Sequence, residues 1–132
     1  MIRYQFKEEE GSFGSVLRLV AEVILENGDL RVGIPMYIDS GADISMIPLR
    51  FGRSLGFRQE EGDTVREIKG VSGVSVPYIL KKVNLVLNGK KLEIRVAWAL
   101  VENVPTLMGR IDIFDKFRIA FDERRGRIDF EE

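Results

Sequence analysis

At 132 residues and 15.1 kDa the chain has the size of one domain, and 20 basic against 21 acidic residues leave a net charge of −1. That balance gives no general attraction to nucleic acid or to an anionic membrane. The sequence holds no Cys and no His, which excludes disulfides, thiolate nucleophiles, Ser-His-Asp catalysis and metal sites built on thiolate or imidazole.

From the N-terminus, Met1 to Glu10 is charged and lacks the apolar core of a secretory signal, and no apolar run approaches the roughly 20 residues that span a bilayer. The expectation is a cytoplasmic protein with no membrane partner. Val16 to Glu26 is rich in β-branched and aliphatic residues, Asn27-Gly28-Asp29 is a turn, and Leu30 to Ile38 is a second strand. Pro48 to Gly56 has room for one or two helical turns, with Pro at the start and Gly past the end. Val83 to Leu87, Asn88-Gly89 and Leu92 to Trp98 repeat the hairpin pattern, and alternation from Leu92 to Val96 fits a half-buried strand. Arg110 to Phe117 is the stronger helix candidate, with Ile113, Phe114 and Phe117 at helical spacing after Gly109. Arg118 to Phe121 and Arg127 to Phe130 form a last hairpin around Glu123 to Gly126. The basic pairs Lys81-Lys82, Lys90-Lys91 and Arg124-Arg125 sit among acids and read as solvated strand ends and turns, not as a phosphate-binding surface. The pattern predicts a mostly β domain over residues 1–132, closed or sandwiched, with one short helix in the C-terminal half and residues 1–15 as an N-terminal extension.

Chemistry concentrates where an apolar strand, Met36-Tyr37-Ile38, runs into Asp39-Ser40-Gly41-Ala42-Asp43 and then into a second apolar segment, Ile44 to Pro48. A carboxylate at the end of a buried strand needs hydrogen-bond donors, because an unpaired buried charge is very costly. Ser40 offers a hydroxyl, and Gly41 allows the tight turn that brings its N–H to the carboxylate. A calcium loop is excluded, since its Gly position is Ile44 and its closing Glu position is Arg50. The Gly-rich stretches carry neither nucleotide-binding fingerprint.

Ile38-Asp39-Ser40-Gly41-Ala42-Asp43 resembles the active-site loop of retropepsin-like aspartic proteases. Val104-Pro105-Thr106-Leu107-Met108-Gly109-Arg110 resembles the family's second apolar-Gly-Arg element, and Ile68 to Val74 falls where the family has its Gly-containing flap hairpin. The resemblance covers roughly Val20 to Phe121 and implies a closed acid-protease barrel. It implies that Asp39 is the catalytic carboxylate, supported by Ser40, Gly41 and Ala42. Asp43 then contacts substrate or pairs with Arg110, Gly109 and Arg110 support the loop, and Gly70, Val71, Ser72 and Gly73 form the flap tip over substrate. Met108 departs from the more usual Leu or Ile, a volume-conserving change.

Aspartic proteolysis needs two carboxylates sharing one proton, and this chain has one Asp-Ser/Thr-Gly. The resemblance therefore implies a homodimer that hydrolyses extended polypeptide with one Asp39 from each copy, without metal or organic cofactor and without nucleic acid. The alternative is a non-catalytic dimeric peptide-binding or assembly domain on the same fold.

Overall fold

A computed structural model describes residues 1–69 and 73–132 of the chain. Twelve strands and one short α-helix follow one another along the described residues. The first three strands are β1 (Ile2–Gln5), β2 (Lys7–Gly11) and β3 (Gly14–Arg18). Next come β4 (Val20–Asn27), β5 (Leu30–Ile38), β6 (Ser45–Ile47) and the helix α1 (Leu49–Ser54). β7 (Val65–Lys69), β8 (Ser75–Leu87), β9 (Lys90–Ala99) and β10 (Leu107–Met108) precede the closing hairpin of β11 (Arg118–Asp122) and β12 (Arg127–Glu131).

Six of these strands close on themselves in the order β4-β5-β10-β6-β9-β8, and β8 returns to β4 through Ile24↔Val86, Leu25↔Leu85 and Glu26↔Asn84. The barrel is mixed: β10 runs parallel to β5 and β6 parallel to β9, while the remaining pairs are antiparallel. Closure removes the sheet edges and turns one face of every strand inward. Alternation then decides which residues form the core. On β4 the inward set is Val23 and Leu25, on β5 Ile34, Met36 and Ile38, and on β9 Leu92, Ile94 and Val96, all buried.

Turn chemistry sets the registers. Leu87↔Lys90 leaves Asn88-Gly89 as a two-residue loop, with φ of 44° and 92°, the doubly positive pair that a type I′ turn requires. In the first hairpin the loop is Gly28-Asp29, because Asn27 still pairs with Leu30. Asn27 instead donates its side-chain amide to the Leu55 carbonyl at 2.8 Å, fastening the end of α1 to the barrel.

The α-helix lies at Leu49–Ser54 and not at Arg110 to Phe117, where the stronger helical spacing predicted it. Pro48 caps α1, and a Schellman arrangement ends it, with Gly56 N–H on Arg53 O (3.0 Å) and Phe57 N–H on Gly52 O (2.8 Å). Gly56 takes the left-handed conformation this needs, at φ 79°. Between Arg110 and Phe117 only Phe114–Lys116 forms a single 3₁₀ turn. The spacing of Ile113 and Phe117 does report burial, at 0% and 9% exposure. A continuous helix is prevented because Asp112 sits at φ +68°, outside the right-handed helical region.

Helix α1 rests on the indole of Trp98, which donates to Leu49 O at 3.1 Å and packs on Phe57 with ring centroids 5.7 Å apart. A Cβ on Gly52 would stand 2.1 Å from Trp98 Nε1. Gly52→Ala should therefore destabilise the fold by about 2–3 kcal/mol through overpacking against a rigid ring. Urea denaturation measures this, and a loss below about 0.5 kcal/mol would show that α1 lifts from Trp98 freely, since that is the scatter of neutral surface changes.

The termini build a second, three-stranded sheet in the order β1-β12-β11. Arg3 binds Asp129 at 2.6 Å, and Phe130 is enclosed between Tyr4 and Phe117, with centroids at 6.0 and 5.5 Å. Residues 1–15 thus enter the fold through β1, whereas β2 and β3 form a separate two-stranded ribbon with Phe13 fully exposed near its tip. No helix among the described residues is long and apolar enough to cross a membrane.

Candidate active site

Asp39 is the first residue after β5, where the strand leaves the barrel. Its backbone N–H donates to Met108 O at 3.0 Å, continuing the parallel β5–β10 ladder by one bond. Its Oδ1 accepts the Gly41 N–H at 2.8 Å, and its carbonyl accepts the Ala42 N–H at 3.2 Å, so the loop folds back around the carboxylate. A Cβ at Gly41 would lie 3.2 Å from that oxygen, which is why the smallest residue serves here. The carboxylate is only partly buried.

The two sequence elements that stand some 70 residues apart interlock through their backbones. Arg110 N–H donates to Ala42 O and Ile111 N–H to Asp43 O, each at 2.9 Å. Gly109 N–H donates to the Ser45 hydroxyl at 3.0 Å, and Ser45 is fully buried. Gly109 has no room for a side chain, since a Cβ would lie 2.5 Å from the Ile44 carbonyl carbon. The Arg110 guanidinium reaches Ser40 O at 3.4 Å and lies 5.5 Å from the Phe114 ring centroid. No ion pair joins Asp43 to Arg110 among the described residues. The link between those two positions is made by the main chain, which leaves the Asp43 carboxylate exposed toward solvent.

Beside the loop opens a cleft of about 540 Å³, with Gly41, Ala42 and Asp43 on its floor. Ile44, Met46, Ile68, Tyr78, Leu80 and Leu107 supply most of its apolar lining. The β7–β8 hairpin forms one wall, in the register Arg66↔Tyr78 and Ile68↔Val76. Of the predicted flap tip, Gly70, Val71 and Ser72 lie outside the described residues, and Gly73 is exposed at φ 79°. An extended segment fits such a trough, because strand edges offer backbone hydrogen bonds and apolar pockets receive alternate side chains.

Several supporting residues escape the sequence reading. Ser45 stands inside the apolar run Ile44 to Ile47, and a polar group in a buried strand demands a partner, so that signal was present. Thr106 donates its hydroxyl to Pro35 O at 2.5 Å, and its own carbonyl accepts Tyr37 N–H at 2.9 Å, clamping the approach to β10. Arg95 on β9 binds Asp112 with Nε and Nη2 at 2.9 and 3.0 Å, while its backbone N–H reaches the same carboxylate at 2.9 Å. No sequence signal joins those two.

The Arg95 hydrogen bonds hold the Asp112 carboxyl down at about 2, well below its ordinary range. A depressed folded-state value means that the pair stabilises the fold at pH above the unfolded carboxylate's range and ceases to do so as pH falls through about 2. With half-exposed Arg95 screened by solvent, the contribution should be on the order of 1 kcal/mol. Asp112→Asn should remove that part of the pH dependence, measured as urea stability from neutral pH down to about 2. A variant curve parallel to the wild type throughout would contradict the assignment.

No family model matches the sequence, and no curated protein matches it. Solved structures do. The retropepsin-like aspartic protease from Rickettsia conorii aligns with a TM-score of 0.69 at 16% identity, over 97% of this chain and 98% of that one. EIAV protease, complexed with the inhibitor HBY-793, aligns with a TM-score of 0.55 at 22% identity, over 70% of this chain and 82% of that one. A barrel that matches from end to end despite such low identity means that this chain has the fold of the retropepsin-like aspartic proteases.

Proposed function

We propose that the protein is an aspartic endopeptidase, active as a homodimer in which the Asp39 carboxylates of two copies face each other across one water. The observation that carries this reading is the seating of Asp39. It is a partly buried carboxylate at the end of a barrel strand, oriented by the Gly41 N–H and set beside an apolar cleft.

One such carboxylate is chemically incomplete. Two of them a few ångströms apart cannot both ionise, so the pair keeps one proton. The ionised member accepts a proton from the water, whose oxygen attacks the scissile carbonyl carbon, while the protonated member donates to the carbonyl oxygen. Collapse of the tetrahedral intermediate breaks the C–N bond, and the departing nitrogen takes the proton held by the first carboxylate. In this reading Ser40 ties the two loops together, Asp43 meets substrate, and the β7–β8 hairpin with residues 70–73 closes over the bound peptide. No metal or organic cofactor takes part, and the partners are a second copy and a polypeptide.

The test is cleavage of a diverse peptide library over a range of protein concentrations, with light scattering on the same samples. Specific activity should rise with concentration as a species of about 30 kDa, twice 15.1 kDa, replaces the monomer. Full peptidase activity in samples that contain monomer alone would overturn the dimeric mechanism.

A further inference from the structure

Three charged side chains reach the apolar cleft beside Asp39: Asp43, Arg66 and Arg95. They are not equivalent. Arg95 is already neutralised by the two-pronged contact with Asp112 at 2.9 and 3.0 Å. Arg66 has no carboxylate within 4 Å among the described residues, and residues 70–72, Gly-Val-Ser, contain no acid. Period-two alternation on β7 places Arg66 and Ile68 on the cleft side, while Val65, Glu67 and Lys69 occupy the other face. Arg66 therefore stands as an uncompensated cation on the wall, paired in register with Tyr78.

We propose that Arg66 selects peptides carrying an acidic side chain, Asp or Glu, at the position that lies against the β7–β8 wall. The proposal rests on the peptide-binding cleft of the endopeptidase reading and adds a substrate class to it. A peptide lying along this wall covers part of the guanidinium, and a covered charge without a partner is costly. A substrate carboxylate removes that cost and matches the planar fork with two hydrogen bonds. Asp43, on the floor of the cleft, repels a second acid and favours placement of the acidic residue against the Arg66 wall. The remaining lining favours apolar neighbours in the substrate. Lys would be rejected at the Arg66 position.

The experiment uses the full chain with Asp39→Asn to prevent turnover. It binds a fluorescent, extended apolar peptide scanned position by position with Glu, Gln or Lys and read by anisotropy, and the unsubstituted protein cleaves the same peptides in parallel. Glu should bind about five- to tenfold tighter than Gln at one position, as for a partly covered charge-assisted pair. Arg66→Gln should erase that advantage and Arg66→Glu should transfer it to Lys, while added salt should shrink it in the unsubstituted Arg66 protein. Equal binding of Glu and Gln at every position, or a Glu preference that survives Arg66→Glu, overturns the proposal. Cleavage without any charge preference removes the role of Arg66 and leaves the endopeptidase standing. An Arg66-dependent Glu preference in binding, with no cleavage of any peptide, removes the endopeptidase and leaves the acid-selecting cleft. Absence of both binding and cleavage for every peptide removes both.

Discussion

Asp39→Asn is expected to lower kcat/KM on a cleavable peptide by about a thousandfold or more, with the fold and the dimer retained. The magnitude follows from what the amide cannot do: it neither accepts a proton from water nor donates one to a carbonyl oxygen at neutral or mildly acid pH. The fold should survive because the contact that orients the side chain needs only an acceptor, and the Asn carbonyl oxygen can take the Gly41 N–H in place of Oδ1. Asp39 is also only partly buried, so removing its charge changes desolvation little. A mixing experiment sharpens the result. If each copy supplies half of the pair, excess Asp39→Asn protein should poison the wild type by drawing it into mixed dimers. Wild-type rates from the variant would remove the catalytic assignment. A wild type that binds peptide but turns over none would identify a binding domain on the same barrel.

Gly109→Ala is expected to cost about 3 kcal/mol, an effect of about 10 °C in Tm for a domain of this size, and to abolish activity with it. The added carbon would stand 2.5 and 2.6 Å from Ile44 C and O and 2.9 Å from Ala42 O. All three atoms belong to backbone that is itself bonded to this segment, so no side chain can swing aside. Relief requires the Asp39 loop and the Arg110 segment to separate, which breaks the 2.9 Å bonds at Ala42 O and Asp43 O and the 3.0 Å bond to Ser45. Ser45→Ala provides a graded companion, since it leaves the Gly109 N–H buried without an acceptor and should cost about 1–3 kcal/mol without a steric clash. Thermal unfolding of the two variants separates the effects. A Gly109→Ala protein as stable as the wild type would mean that the two loops are not locked together as described.

The strands were legible wherever one residue in two meets the core. Leu92 to Val96 alternates in the sequence and alternates in burial, and Asn88-Gly89 fixes its turn because only a residue pair tolerant of positive φ closes a two-residue loop there. The helix was misplaced for a reason of equal clarity. Ile113, Phe114 and Phe117 have helical spacing because all three pack on the core, but Asp112 at φ +68° interrupts the backbone before a helix can run through them. Asp39 and Gly41 stand out in the sequence because their chemistry is local, a carboxylate and a turn, whereas Gly109 is singled out only by the resemblance of its segment to the family's apolar-Gly-Arg element. The Asp43–Arg110 ion pair could not be judged in that way, since side-chain complementarity does not reveal that the main chain already joins the two positions.

The sequence by itself determined that the chain is a β domain without thiol or imidazole chemistry, in which one strand runs directly into Asp39-Ser40-Gly41. Alternation and turn residues act over a few positions, so they are written in short windows. Only the tertiary structure decided that β8 returns to β4 to close the barrel, that Asp112 silences Arg95, and that Arg66 lines the cleft without a carboxylate partner among the described residues. Those outcomes depend on which distant groups arrive within hydrogen-bonding range, and closure of the barrel sets those distances.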